Sequence, residues 1–194
     1  MNDAERSQLE EFQRYINSPE HRSLASSHEA GHAVLAERFG YPVIHVSIEG
    51  KIVLEGSPES MLVSNGEFGA TGGGAEIDFG RIFPNSPDFD EVLRNIATIQ
   101  MGGRAAEEMT HPASAQSAHA KSDEFKFRDA WKKYRTREQL DFLLAEGHRR
   151  ARAFLAHPTI SKEHQRVRDF LFSGRDCTYP NGESVRKAIR GTNE

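Results

Sequence analysis

The stretch SSHEAGHAVLAERFG, residues 26–40, sets His28, Glu29 and His32 into an otherwise small and apolar run. Histidines four residues apart on a helix project from one face, one turn apart, so their imidazoles can converge on a single cation. Zinc takes neutral imidazole nitrogens at about 2.0 to 2.1 Å, and a catalytic zinc site uses three protein ligands and keeps a position open for water. His28 and His32 suit the first two places. Glu29 is turned by about 100° from His28, beside the metal instead of on it, where its carboxylate can act as general base toward a water at the open position.

Two plainer readings compete. Ser26-Ser27-His28-Glu29 also matches a capping box, which would make Glu29 a helix-start residue. A helix starting at Ser23 removes that role and gives the histidine pair a rigid turn on both sides. With nine histidines in the chain, a His-Glu-x-x-His can also arise by chance, so the pattern needs support from elsewhere. The extended His-Glu-x-x-His-x-x-Gly-x-x-His pattern is excluded because Arg38 occupies the third-histidine position. A third ligand has to come from far along the chain.

The elements that must position these residues are mostly helical. Leu9, Phe12, Tyr15 and Ile16 predict a lead-in helix over 3–17 that stops before Pro19, within a lead-in region 1–22. The His-Glu-x-x-His helix is expected over 23–39, with Gly40 at the left-handed cap and Pro42 blocking continuation. Ile44, Val46 and Ile48, then 52–54, predict a small strand pair. The segment 57–90 reads as a Gly-rich variable loop, mobile or with an edge strand, because Gly72–Gly74 cannot be regular helix. Helix is expected again over 89–109, where Gly102 and Gly103 imply close packing on another element.

A further helix is expected from Ser122 as N-cap to about residue 134, with Asp123 and Glu124 in its first turn. The C-terminal region 136–194 is read as helices over 136–156, 162–172 and 182–189. The whole, 1–194, reads as a single, mainly α domain.

Composition limits the functions open to it. A formal charge of −4, from 25 basic and 29 acidic residues, gives no footprint for nucleic acid. The basic stretch from Lys126 to Arg152 is interleaved with acids and reads as a solvated helix face. One cysteine, Cys177, excludes an internal disulfide and a multi-cysteine metal site. No signal-peptide pattern and no window of eighteen apolar residues is present, so a cytoplasmic protein without membrane contact is expected.

HEAGHAV at 28–34, followed by GGRAAEEM at 102–109, resembles the peptidase domain of the FtsH family of zinc metallopeptidases. AEGHRRARAFLA, VRDFLF and GESVRKAI resemble that family's closing helices. The resemblance covers most of residues 23–190, with 57–90 poorly matched. It implies a helical FtsH-type peptidase fold, Zn2+ held by His28 and His32, and Glu29 as general base. The third ligand it implies is an aspartate at the start of a later helix. In AKSDEFKF that is Asp123, since Ala120 and Asp123 keep the family's Ala-x-x-Asp spacing, with Glu124 the neighbouring alternative.

The resemblance leaves Glu107 and Glu108 to supporting or packing roles. His111 and His119 read as exposed loop histidines, with His119 also open to a role supporting a ligand, and His45, His148 and His157 as packing or surface residues.

The resembled family joins its peptidase to an ATP-driven unfoldase and membrane anchors. This chain has no Gly-x-x-x-x-Gly-Lys-Ser/Thr loop and no spanning segment. The expected activity is therefore ATP-independent hydrolysis of peptides, unfolded protein segments or one particular partner, or hydrolysis with an unfoldase supplied in trans. The rival from another class is a non-catalytic zinc-binding regulatory or partner-binding module on the same fold. A repressor-cleaving peptidase also carries His-Glu-x-x-His, but the absence of a Glu-x-x-x-Asn-x-Phe-Ala type motif and the presence of GGRAAEE count against it.

Overall fold

Pro19 has no N–H to lose at the first turn of a helix, and it opens α1 (Pro19–Arg38). Ser18 is the N-cap, its Oγ accepting the N–H of His21 at 3.1 Å. The helix thus starts four residues before Ser23, which places Ser26 and Glu29 in its interior and excludes the capping-box reading. At the other end the Tyr41 N–H donates to the Ala36 carbonyl and the Gly40 N–H to that of Glu37. This is the paired C-terminal bond pattern that a left-handed residue permits, and Gly40 supplies it with φ 78°.

The computed structural model describes Ser7, Glu10, Arg14, Tyr15 and residues 18–48, 51–54, 68–71, 74–112, 118–174 and 182–191. The lead-in helix expected over 3–17 lies outside these apart from four helical positions, and Cys177 lies outside them altogether.

The architecture is mainly α with minor antiparallel strands, as expected. The strands β1 (Val43–Ser47) and β2 (Lys51–Leu54) both form, but they do not pair with each other. Each takes its partner from the Gly-rich segment: β1 from β4 (Gly74–Ile77), with Val46 opposite Ala75, and β2 from β3 (Phe68–Thr71). Of the two expectations for that segment, a mobile loop or an edge strand, these residues follow the second. The ladder partners are non-local, and local alternation carries no information about them.

Helices α2 (Phe89–Gln100) and α3 (Gly102–Thr110) follow, separated at Met101. Then come α4 (Ala118–Trp131), α5 (Arg137–Ala156), α6 (Pro158–Ser173) and α7 (Gly182–Arg190). Helix α4 begins before Ser122, so Ser122 is an interior residue and not the N-cap. Thr136 caps α5 in a reciprocal box with Gln139. Leu140, Leu144, Gly147, Ala151 and Leu155 form its buried stripe.

Helix α1 is the centre of the molecule, buried from Leu24 through Ala36 and packed against α3 and α6. Its small residues let neighbouring backbones approach closely. A Cβ on Gly31 would lie 2.4 Å from the Gly102 carbonyl oxygen, and one on Gly102 would lie 2.8 Å from that of Gly31. The glycine pair of α3 therefore serves helix-on-helix contact, as its sequence implies. Among the described residues, no helix is long and apolar enough to cross a membrane.

Candidate metal centre

His28 and His32 extend from adjacent turns of α1 toward α4, and Asp123 meets them from α4. Oδ2 of Asp123 is 2.8 Å from Nε2 of His28 and 3.0 Å from Nε2 of His32, and the two Nε2 atoms are 3.0 Å apart. All three side chains are buried, with residues 2 %, 5 % and 5 % exposed for His28, His32 and Asp123. Two nitrogens and one carboxylate oxygen thus form a triangle that could hold a metal ion.

The far sides of these three side chains are anchored as well. Nδ1 of His32 lies 2.7 Å from the Ile99 carbonyl oxygen, which can only accept, so Nδ1 carries the hydrogen. Nδ1 of His28 lies 2.8 Å from Oε1 of the buried Glu107 and donates to it in the same way. In the neutral form of each ring the lone pair is then on Nε2, aimed into the triangle. The other oxygen of Asp123, Oδ1, accepts from Nε2 of Gln100 at 3.1 Å, with Nζ of Lys126 3.9 Å away. Metal ligands are characteristically oriented by such outer contacts.

The local electrostatics fit a cation. Burial pulls His28 toward its neutral form, but the charge and hydrogen bond of Asp123, the hydrogen bond to Glu107 and the charge of Glu29 outweigh it. Its pKa stands well above the usual histidine value. Burial pushes Asp123 up, yet the charges and hydrogen bonds of His32 and His28 hold its carboxyl far below the usual range. In the ion-free protein a proton on His28 offsets the clustered acids Glu29, Glu107 and Asp123, all of them buried. A divalent cation meets the same electrostatic need.

Glu29 follows His28 on α1 and is 4 % exposed. Glu124, the alternative to Asp123, turns away from the triangle: its two oxygens accept from Nη1 of Arg104 at 2.9 Å and from Nη2 of Arg128 at 3.1 Å. Of the Glu-Glu pair, Glu107 supports His28, while Glu108 meets Nε of Arg104 at 3.1 Å and Nε2 of His148 at 2.9 Å.

Among the remaining histidines, His111 differs from the expectation of an exposed loop residue. It is half-buried, with Nε2 3.2 Å from Oγ of Ser23 and Nδ1 2.9 Å from Oγ1 of Thr110, so it ties α1 to the end of α3. His45 pairs with Glu76 at 3.1 Å on the surface, His148 is half-buried and His157 is exposed. The side chain of His119 lies outside the described residues.

Sequence reasoning missed Gln100 and the Ile99 carbonyl. A glutamine at a helix end carries no motif, and a backbone carbonyl has no sequence signature. The role of Glu107 over Glu108 was legible in principle: Gly103, Ala106, Glu107 and Thr110 share one face of α3 by their spacing, the face that packs on α1.

No protein-family model matches the chain, and no curated protein matches it.

Proposed function

We propose that this chain is a zinc-dependent metallopeptidase that hydrolyses peptide bonds in peptides or unfolded protein segments without a nucleotide. The observation that carries the reading is the convergence of His28 Nε2, His32 Nε2 and Asp123 Oδ2 within 3.0 Å of one another, beside Glu29 on the same helix. Donor atoms around a tetrahedral zinc lie about 3.3 Å apart, so the triangle needs to open by only a few tenths of an ångström. The set of two imidazoles and one carboxylate suits zinc, and the resemblance carried by HEAGH and GGRAAEE points the same way.

Zinc bound here would polarise a peptide carbonyl and acidify a water at its open position. The protein's own residues do the rest. Glu107 and the Ile99 carbonyl keep hydrogen on the Nδ1 atoms, so both Nε2 lone pairs remain available as ligands. The Glu29 carboxylate takes one proton from the attacking water and delivers it to the amide nitrogen as the C–N bond breaks. The products are a carboxylic acid and an amine, and Glu29 is regenerated. Burial of the four side chains strengthens each of these electrostatic contacts.

Glu29→Gln tests this reading. The variant should bind zinc as the parent does while its cleavage of an unfolded fluorogenic protein substrate drops by about 10²- to 10⁴-fold. Zinc binding with undiminished cleavage would remove Glu29 from the mechanism.

Burial of the whole cluster favours one further reading, in which the same ion is structural and the chain is a non-catalytic regulatory or partner-binding module. Stoichiometric zinc in the parent protein with no cleavage of any unfolded substrate would select it.

A further inference from the structure

We propose that Gln100 is a positioning residue for the metal centre: its side-chain amide holds one oxygen of Asp123 and thereby reserves the other for the ion. The inference rests on the reading that His28, His32 and Asp123 bind a metal. A carboxylate can bind an ion through one oxygen or both, and in the second mode it fills a position that catalysis needs open. Here the two oxygens of Asp123 are divided. Oδ2 faces both histidine Nε2 atoms at 2.8 and 3.0 Å, and Oδ1 accepts from Nε2 of Gln100 at 3.1 Å.

The placement of Gln100 follows from the break between α2 and α3. It is the last residue of α2, half-buried, and Met101 separates it from the glycine pair that packs on α1. The carbonyl of its neighbour Ile99 accepts a backbone N–H at the C-cap of α2 and also Nδ1–H of His32 at 2.7 Å. Two successive residues at one helix end therefore orient two ligands from two other helices. Gly103, four residues after Ile99, leaves the space in which the His28 ring lies. Lys126 stands near the same oxygen of Asp123, but at 3.9 Å and from an exposed position it attracts that oxygen without fixing its direction.

The experiment measures affinity for Zn2+ and Co2+ on the full chain by competition with a chromogenic chelator, and records the visible spectrum of the Co2+ form. Gln100→Met keeps the side-chain length and removes the donor, whereas Gln100→Lys keeps a donor. The Met variant should bind both ions about tenfold more weakly, with a cobalt absorption weakened toward that of higher coordination. The Lys variant should retain most of the parent's affinity and spectrum. Parent-like affinity and spectrum in Gln100→Met, or equal impairment in both variants, would overturn the role of Gln100 and leave the metal reading intact. A parent protein that binds neither ion, or an Asp123→Ala variant that binds as tightly as the parent, would overturn the metal reading itself.

Discussion

Gly103 faces the His28 imidazole so closely that a Cβ there would lie 2.4 Å from both Nε2 and Cε1 of the ring. The ring cannot retreat easily, because Glu107 and Asp123 hold its two nitrogens, each at 2.8 Å. Gly103→Ala should therefore lower stability by about 1 to 3 kcal/mol, the usual range for overpacking, and weaken metal binding with it. Gly31→Ala meets the Gly102 carbonyl oxygen at 2.4 Å and should cost at least as much. Denaturant midpoints with unchanged slopes would measure both losses. Parent-like stability in either variant contradicts this packing.

Asp123→Ala should abolish stoichiometric zinc binding, whereas Glu124→Ala should retain it. Glu124 bonds only to partly exposed arginines among the described contacts, so its loss should cost no more than about 1 kcal/mol. Metal analysis of the purified variants decides the matter. Zinc lost with Glu124 but kept without Asp123 would reverse the ligand assignment.

The raised pKa of His28 gives metal binding a definite pH dependence. Its contribution to the ion-free fold is fully present below the unfolded value of about 6.5 and is lost as pH rises through the higher folded value. An ion bound at His28 would have to displace that proton, so zinc would compete better as pH rises. The gap between the thermal midpoints of zinc-loaded and ion-free protein should widen as pH rises toward the raised folded pKa and level off above it. A gap independent of pH would contradict protonation of His28 in the ion-free state. Asp123 has the opposite sign: its lowered pKa stabilises the fold above the ordinary carboxyl range, and that contribution fades only in strong acid.

His164 adds an acid limit of its own. Burial lowers its pKa while its Nε2 donates to the Ser27 carbonyl at 2.9 Å. A depressed histidine contributes stability above its unfolded value and loses it as pH falls through the folded one. His164→Gln should therefore lose less stability than the parent as pH falls below about 6.5, measured by denaturant unfolding of both ion-free proteins. Equal acid sensitivity would remove His164 as its source.

The parts of the site governed by local rules were legible in the sequence. The four-residue spacing of His28 and His32 sets their shared face, and Gly40 with Pro42 marks where α1 ends. Pro19 misled because it both forbids the continuation of one helix and favours the start of another. Ser122 misled for a similar reason: Ser-Asp-Glu has the composition of a helix start, but α4 already includes it. The pairings of β1 with β4 and β2 with β3 depend on contacts across the Gly-rich segment, which no local pattern encodes. Asp123 could be named beforehand only through the resemblance, because nothing in AKSDEF alone distinguishes it from Glu124.

The approach of Asp123 to His28 spans 95 positions of sequence. An ion gripped by both in the native state and released on unfolding would stabilise the fold by mass action, so the thermal midpoint would rise with free-ion concentration. Chelation would then loosen the hold between α1 and α4 across the middle of the molecule. It should register as faster amide hydrogen exchange in α4, well before α1, sheltered on every side, begins to open.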